Sequence, residues 1–400
     1  MLHLDYEFLA TGRHTSLFAQ DMSTAHKDLH TAIQGSAIAV IGAAGSIGFA
    51  VSKLLCTYKP KRLVLIDINE NNLVEVLRDI RSDPQCQAPE DFTCLPIGMG
   101  TQEFHHYFNE ARPFDYVFNL CAMKHVRSEK DRFSLLRMID TNNLFLYDFL
   151  ASLNYPLKKF FSVSSDKAVN PANLMGASKC LMEGIMSCFS EKHPWSSARF
   201  ANVAFSQGSL PQGFLHRIEK KQAIAAPTDT KRYFISHEEA AQLCVLSCVL
   251  GKNQEVFFPK LESGLNESTF SELAVKLLQH LGYEPYLCHS QEEAKFKAAE
   301  LISEKQWPCY FSESNTDGEK PFEEFFTKDD VLDTDRFQYV GVLKLENSLK
   351  ERGSLLEFLS FHRQARETGL YKKEDYIHLL RGLVPGFQHR MQGASLDAKM

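Results

Sequence analysis

An α/β fold with a doubly wound parallel sheet is what this 400-residue chain predicts, on three observations. Short β-rich apolar runs, AIAVIG, RLVLID, YVFNL and KFFSVSS, alternate with longer amphipathic stretches. A glycine-rich turn, Gly42-Ala43-Ala44-Gly45-Ser46-Ile47-Gly48, directly follows the first run and opens a helical stretch, FAVSKLLCTY. An acid, Asp67, ends the second run. Alternation of this kind places helices on both faces of a mostly parallel sheet.

With 44% hydrophobic and 24% charged residues, the chain can bury a large core in one or two domains. Lys+Arg 44 against Asp+Glu 50 gives a net charge of -6, which offers nucleic acid and acidic lipid no general attraction. No nucleic-acid partner is expected. The ten cysteines form no CxxC pair and no Cys/His spacing that closes a metal site, and Cys56, Cys121 and Cys244 lie in apolar runs. Reduced thiols, no metal and a cytoplasmic location are the expectation. The first thirty residues lack the apolar core of a signal peptide, and no stretch approaches the ~20 apolar residues of a membrane span.

Four segments are expected. Residues 1–35, of mixed polarity and without a clear period, form an N-terminal arm. Residues 36–205 form a dinucleotide-binding domain, 206–346 a smaller mixed α/β substrate domain interleaved with it, and 347–400 a helical C-terminal extension. In the extension, Leu355, Leu356 and Leu359, then Tyr376, Leu379, Leu380 and Leu383, recur at helical spacing. That stripe reads either as packing on the body of the protein or as a subunit contact.

In a strand–turn–helix context the glycines serve a tight turn, close approach of backbone to a pyrophosphate, and packing of helix on strand. The helix N-terminus then presents amides to the phosphates. Gly42, Ala44, Gly45, Ser46, Ile47 and Gly48 are therefore candidate cofactor contacts, and Asp67 is placed to accept hydrogen bonds from adenosine ribose hydroxyls. Asn69 and, just beyond the YVFNL run, Ala122 complete the set. The acid favours NAD, and Ile68-Asn69-Glu70-Asn71 lacks a cation for a 2′-phosphate, although NADP stays open through a cation elsewhere. The bland alternative is an ordinary turn with a capping aspartate.

KFFSVSS runs into Asp166-Lys167, so a hydroxyl (Ser165), an acid and a base stand at the carboxyl end of a strand, where open α/β sheets bind ligands. Lys179 lies four residues after Met175 at the start of a helical stretch, so one helical face directs both toward that strand end.

With these residues in order, the chain resembles the extended short-chain dehydrogenases of the polysaccharide-biosynthesis type, in particular the UDP-N-acetylglucosamine 4,6-dehydratases. The resemblance is carried by GAAGSIG, LIDINENNL, CAMKHV, SVSSDKAVNPANLMGASK, RFANV, KRYFISHEEA and GEKPFEEFF, and spans about residues 36 to 330. It implies a Rossmann-type domain holding tightly bound NAD or NADP that is recycled in each turnover. Hydride leaves sugar C4, water is eliminated across C5 and C6, and hydride returns to C6. By the same resemblance Lys167 is the C5 base, Asp166 the acid for the departing C6 hydroxyl, Ser165 a hydrogen-bond partner of O4, and Lys179 the contact to the nicotinamide ribose. Lys124, His125, Asn202, Arg232, Glu319 and Lys320 are implied to hold the nucleotide sugar, the cations suiting its diphosphate. His125 reads equally well as a packed, hydrogen-bonded histidine.

The chain departs from the usual pattern at two places. Met175 stands where the dehydrogenase motif has a tyrosine, and a thioether takes no proton; one branch of the dehydratases carries methionine there too. Ile97-Gly98-Met99-Gly100 replaces an Asp-containing turn that meets adenine, leaving a backbone carbonyl or an apolar contact from Met99 as its substitute. The aromatic and acidic stretch WPCYFSESNTDGEKPFEEFFT suggests a lid or base-recognition surface, and similarity to dehydratases of the legionaminic-acid type keeps GDP beside UDP as the nucleotide. Phe311, Phe322, Phe325 and Phe326 read alternatively as core of the small domain.

The function expected is thus a nucleotide-sugar 4,6-dehydratase acting on UDP- or GDP-N-acetylglucosamine, working as a homo-oligomer. A 4-epimerase is the nearest rival, disfavoured because it has no use for an acid and base aimed at C5 and C6. A catalytically silent nucleotide-binding or scaffold protein is the rival from another class.

Overall fold

The apolar runs become adjacent parallel strands because each is flanked by a helix that covers one face of the sheet. The computed structural model describes residues 6–111, 113–260, 267–314, 323–345, 349 and 352–389. Its first six strands are β1 (Ala37–Ile41), β2 (Arg62–Ile66), β3 (Asp91–Leu95), β4 (Tyr116–Asn119), β5 (Lys159–Val163) and β6 (Trp195–Ala198). They are followed by β7 (Asn202–Val203), β8 (Ile224–Pro227), β9 (Lys231–Ile235), β10 (Glu255–Pro259), β11 (Glu267–Thr269), β12 (Glu284–Leu287), β13 (Gln306–Ser312), β14 (Leu332–Asp333) and β15 (Val340–Lys344).

The main sheet has the order β14-β15-β10-β6-β5-β4-β1-β2-β3. Its strands from β3 through β10 pair in parallel, and β15 and β14 close the edge antiparallel. Strand order reverses between β1 and β4, so their connections leave in opposite directions and open a crevice at the strands' carboxyl ends.

The helices are α1 (Tyr6–Thr11), α2 (Ala19–Ile33), α3 (Ser46–Thr57), α4 (Glu70–Ser82), α5 (Gln102–Glu110), α6 (Arg132–Ile139), α7 (Phe145–Ser152) and α8 (Leu174–Cys188). Then come α9 (Leu210–Glu219), α10 (His237–Leu250), α11 (Phe270–His280), α12 (Gln291–Phe296), α13 (Ala298–Ser303), α14 (Arg352–Thr368) and α15 (Lys373–Leu383). One apolar layer joins α2, α3, α4 and α10 to the sheet through Leu29, Val51, Leu73 and Leu246. The layer on the other face joins α5 to α8 with α14 and α15, through Phe104, Phe149, Leu181 and Leu380. A smaller cluster gathers α1, α9 and α11 on β8 and β13 around Phe214, Leu277 and Trp307. The region 206–346 thus lends β10, β14 and β15 to the main sheet, while its remaining five strands, together with β7, form two three-stranded sheets. Among the described residues, no helix is long and apolar enough to cross a membrane.

The arm that carried no clear period is helical. α2 buries Met22, Ala25, Leu29 and Ile33 at helical spacing, and its stripe is hard to see because Ala25 is small and the buried Asp21 interrupts it. Asp21 accepts the backbone N–H groups of Gln338 and Tyr339 at 2.6 and 2.8 Å, so its burial is compensated. Arg13 makes a two-pronged pair with Glu239, which also completes the capping box of α10.

Of the two readings of the C-terminal stripe, packing on the body is what the structure shows for all but one position. Leu355, Leu359, Tyr376, Leu380 and Leu383 are buried, whereas Leu356 is 52% exposed. The wholly buried His362 joins this hairpin to the body, with Nδ1 2.6 Å from the Tyr376 hydroxyl and Nε2 2.9 Å from Asp140. Asp140 opens a π-helical turn, Asp140–Leu144, whose Asn142 and Asn143 stand behind the crevice. Leu380→Ala is therefore expected to lower the unfolding free energy by about 2–5 kcal/mol, against about 0.5 kcal/mol or less for Leu356→Ala. Urea denaturation of the two variants checks both.

Candidate active site

The crevice begins at the glycine turn. Gly42 sits at φ +80°, and a Cβ there would lie 2.8 Å from the backbone of Leu120 and Cys121 beyond β4. At Gly48 a Cβ would meet the Gly42 carbonyl oxygen at 2.0 Å, so only glycine lets α3 sit this close to its own turn. Gly45 caps α3 in extended conformation, and Ser46 Oγ accepts the Gln207 N–H at 3.3 Å. Asp67 accepts the backbone N–H groups of Ala44 and Asn69 at 3.0 and 2.9 Å, which holds its carboxylate beside the turn. The Asn69 side chain caps α4 through the Asn72 N–H, a structural role. Past β4, Cys121 N–H bonds Asn119 and Met123 N–H bonds Asn142, fixing Ala122 between them.

The Met99 side chain, one of the expected substitutes at the adenine end, is buried in the core cluster instead. The adjoining Gly100 is pressed so close to the Phe145 ring that a Cβ would lie 2.4 Å from it, which turns Met99 inward. Ile68, 69% exposed and next to Asp67, stands at the surface there.

At the end of β5, Ser165 Oγ caps a short 3₁₀ turn formed by Asp166–Ala168. That turn folds the next two side chains together: Lys167 Nζ lies 3.3 Å from Asp166 Oδ1, and Ser165 Oγ donates to the same oxygen at 3.0 Å. Asp166 is 7% exposed at its side chain and Lys167 30%, so the pair stands at the mouth of a largely dry site. The two groups are an acid and a base type side by side, close enough for a proton to pass between them.

Met175 and Lys179 share the face of α8 turned to β5. Lys179 Nζ donates to the Val163 carbonyl at 2.9 Å, and burial lowers its pKa from the ordinary 10.5 to about 8. Ser178, between them, receives the Asn142 amide at 2.9 Å, so the π-helical turn braces both this helix and the 123 loop. Met175 is buried at 2% exposure and supplies no proton.

Lys124 Nζ reaches Ser206 Oγ at 3.4 Å; burial, then the charge of Lys167, push its pKa down. Burial lowers that of His125 likewise, and its ring packs beside Gly208. Asn202 donates to Glu323 at 2.7 Å, and Arg232 is buried on β9. Asp166, Lys167 and Arg232 all lie within electrostatic reach of Glu323. Glu319 and Lys320 lie outside the described residues, as does Phe322. Phe311 packs at the rim of the small cluster as expected, but Phe325 and Phe326 pack on Phe258 of β10 in the main core, because β10 belongs to the main sheet.

Sequence reading missed Ser206, Glu323 and the buried Glu183–Arg199 pair. Arg199 Nε and NH2 contact Glu183 at 2.9 and 2.6 Å, Ser164 donates to Glu183 at 2.7 Å, and Arg199 NH1 donates to the Phe325 carbonyl at 2.9 Å. The Arg of RFANV and the acid of the following GEKPFEEFF block were signals that these segments carry charge inward, but no spacing rule pairs them.

The model of the polysaccharide biosynthesis protein family matches residues 38–344. The chain belongs to that family. Within it, an uncharacterized membrane protein of Methanocaldococcus jannaschii is 30% identical over 275 residues, 66% of this chain and 77% of the relative. A UDP-N-acetylglucosamine 4,6-dehydratase (inverting) of Campylobacter jejuni is 26% identical over 57% of this chain and 68% of its own length. A UDP-glucose 4-epimerase of Rickettsia typhi is 28% identical over 60% and 70%. The chain spans less than half of two longer polysaccharide biosynthesis proteins, 37% of one from Staphylococcus aureus and 47% of one from Bacillus subtilis. Among solved structures, Pen from Bacillus thuringiensis shares the fold at TM-score 0.62 and 19% identity, over 78% of this chain and 89% of that one.

Two outcomes follow for stability. Glu183→Gln leaves the buried Arg199 without its counter-charge and is expected to lower the unfolding free energy by about 3–5 kcal/mol, read by urea denaturation. The pKa of Lys179 falls from 10.5 unfolded to about 8 folded, so between these values the unfolded chain binds more protons and this residue's contribution rises with pH. Relative to Lys179→Met, the wild type should gain stability from pH 8 to pH 10.5, measured by denaturation at each pH.

Proposed function

We propose that the chain is a nucleotide-sugar 4,6-dehydratase acting on UDP- or GDP-N-acetylglucosamine. The observation that carries this reading is the 3.3 Å Asp166–Lys167 pair, an acid and a base held side by side at the end of β5 within the crevice of the parallel sheet. The 4,6-dehydratase relative supports the reaction class. The epimerase relatives favour the second reading, but a 4-epimerase leaves such a pair idle.

NAD or NADP fits the residues present. Gly42 and Gly48 let the turn pack tightly against β4 and α3, Ala44, Gly45 and Ser46 line a cavity at the α3 N-terminus, and the Asp67 carboxylate keeps acceptor capacity for ribose hydroxyls. When bound, the nicotinamide would accept hydride from C4 and return it to C6. Ser165 would hold O4, and Lys179, with its ammonium destabilised by burial, would lower the barrier to proton loss there. Lys167 would take the C5 proton made acidic by the C4 ketone, and Asp166 would protonate the departing C6 hydroxyl. Lys124 and Arg232 would hold the diphosphate.

Mass spectrometry of the protein incubated with UDP- or GDP-N-acetylglucosamine, with and without NAD and NADP, tests this. Loss of one water, with solvent deuterium at C5, is the expected result. Lys167→Met and Asp166→Asn should each lower the rate by roughly 10²–10⁴-fold. An isomer of unchanged mass would establish the epimerase, and bound cofactor without turnover a silent binding protein.

A further inference from the structure

The stretch that joins the Asp166–Lys167 turn to α8, residues 169–173, has no regular secondary structure, and its Asn170 lies in the left-handed region at φ +42°. The two elements it joins are packed on each other. A Cβ on Gly176, in the first turn of α8, would lie 2.4 Å from the Lys167 carbonyl oxygen, so a shift of this helix start is also a shift of the Lys167 backbone. From outside, the C-terminal segment holds the stretch at three points. Gln388 N–H donates to the Pro171 carbonyl at 3.1 Å. Gly386, at φ +68°, comes so near that a Cβ there would meet Asn170 Oδ1 at 2.9 Å. His389 Nε2 lies 3.3 Å from Oε1 of the buried Glu129, whose Oε2 accepts the Leu174 N–H at the start of α8 at 2.6 Å. Lys373 of α15 adds a cation 3.6 Å from the same Oε1, and Phe387 is buried in the main core, which anchors the segment.

We propose that Gly386–His389 is a strap that sets the catalytic geometry, with Glu129 and His389 as positioning residues that hold the Lys167 backbone and the start of α8 in register. The proposal rests on the dehydratase reading. Two backbone groups of the stretch find their partners outside it, the Pro171 carbonyl on Gln388 and the Leu174 amide on Glu129. Losing either partner leaves that group to water or to a new backbone path.

Position matters here because the proposed reaction asks three side chains to meet one sugar ring. Ser165 and Lys167 stand on the 3₁₀ turn and Lys179 on α8, so the angle between turn and helix decides whether they reach O4, C5 and the nicotinamide ribose together. Misplacing such groups by about 1 Å costs up to roughly 10²-fold in rate. The residues assigned to the diphosphate, Lys124 beyond β4 and Arg232 on β9, belong to other elements. A loosened strap is therefore expected to lower kcat and leave KM near its wild-type value.

Two substitutions in the whole chain test this. His389→Ala breaks the strap at Glu129 while leaving the Leu174 bond, and Gly386→Ala wedges a methyl group against Asn170. Hydrogen–deuterium exchange of the substrate-free protein, read by mass spectrometry where urea denaturation shows each variant folded, should quicken in peptides covering 169–176. Peptides covering β1, β4 and β5 should stay as protected as in the wild type. The kcat for dehydration should fall roughly 10–10²-fold with KM unchanged, and His389→Gln, which keeps a donor for Glu129, should recover most of the loss. Exchange that is unchanged, or that rises evenly across the sheet, overturns the proposal, as does a local rise with wild-type kcat. The exchange measurement needs no substrate, so if no nucleotide sugar is dehydrated the reaction assignment fails separately, while the exchange pattern still decides whether the strap holds the stretch.

Discussion

The buried pair of Glu183 and Arg199 is the interaction on which the site's geometry depends. It joins α8, which carries Met175 and Lys179, to the end of β6, to Ser164 at the end of β5, and through the Phe325 carbonyl to the segment bearing Glu323. Burying two charges this deeply demands full hydrogen bonding, and these contacts supply it. The result is a rigid junction behind the 3₁₀ turn, so Asp166 and Lys167 project from a fixed base rather than from a free loop.

A second layer of bracing lies behind the first. Asn142 bonds both backbone groups of Met123 and the Ser178 hydroxyl, which couples the loop beyond β4 to α8. Asp140, at the start of the same π-helical turn, is held by His362 and Arg366 of the C-terminal hairpin. Residues far apart in the chain thereby share one wall of the cleft. At its other end, Glu129 accepts the Leu174 N–H at 2.6 Å and meets Lys373 and His389, so the tail also secures the start of α8.

Polar groups inside this framework carry different charge states for reasons that can be separated. Lys179 has a carbonyl partner and apolar surroundings, so desolvation dominates and weakens its hold on a proton. Glu323 is desolvated as well, but the nearby carboxylate of Asp166 adds to that effect and strengthens its hold. Burial thus shifts the pKa values of two ionisable groups in opposite directions.

Much of the fold was legible in the sequence because it rests on local pattern. Apolar runs of strand length, a glycine turn entering a helix, and an acid at the next strand end are set by neighbours in the chain, and so was the adjacency of Asp166 and Lys167. α2 was not legible because small and polar residues thin its buried stripe, and the inward turn of Met99 depends on the Phe145 ring pressing on the loop. Pairings such as Glu183 with Arg199, Asn202 with Glu323 and Asp140 with His362 join residues up to 222 positions apart. No periodicity records such contacts, since only the packing of the sheet's two faces brings those segments within hydrogen-bond distance. The sequence by itself determined which chemical groups this protein has at its strand ends. Tertiary structure decided which of them are desolvated, and desolvation sets which can hold or release a proton.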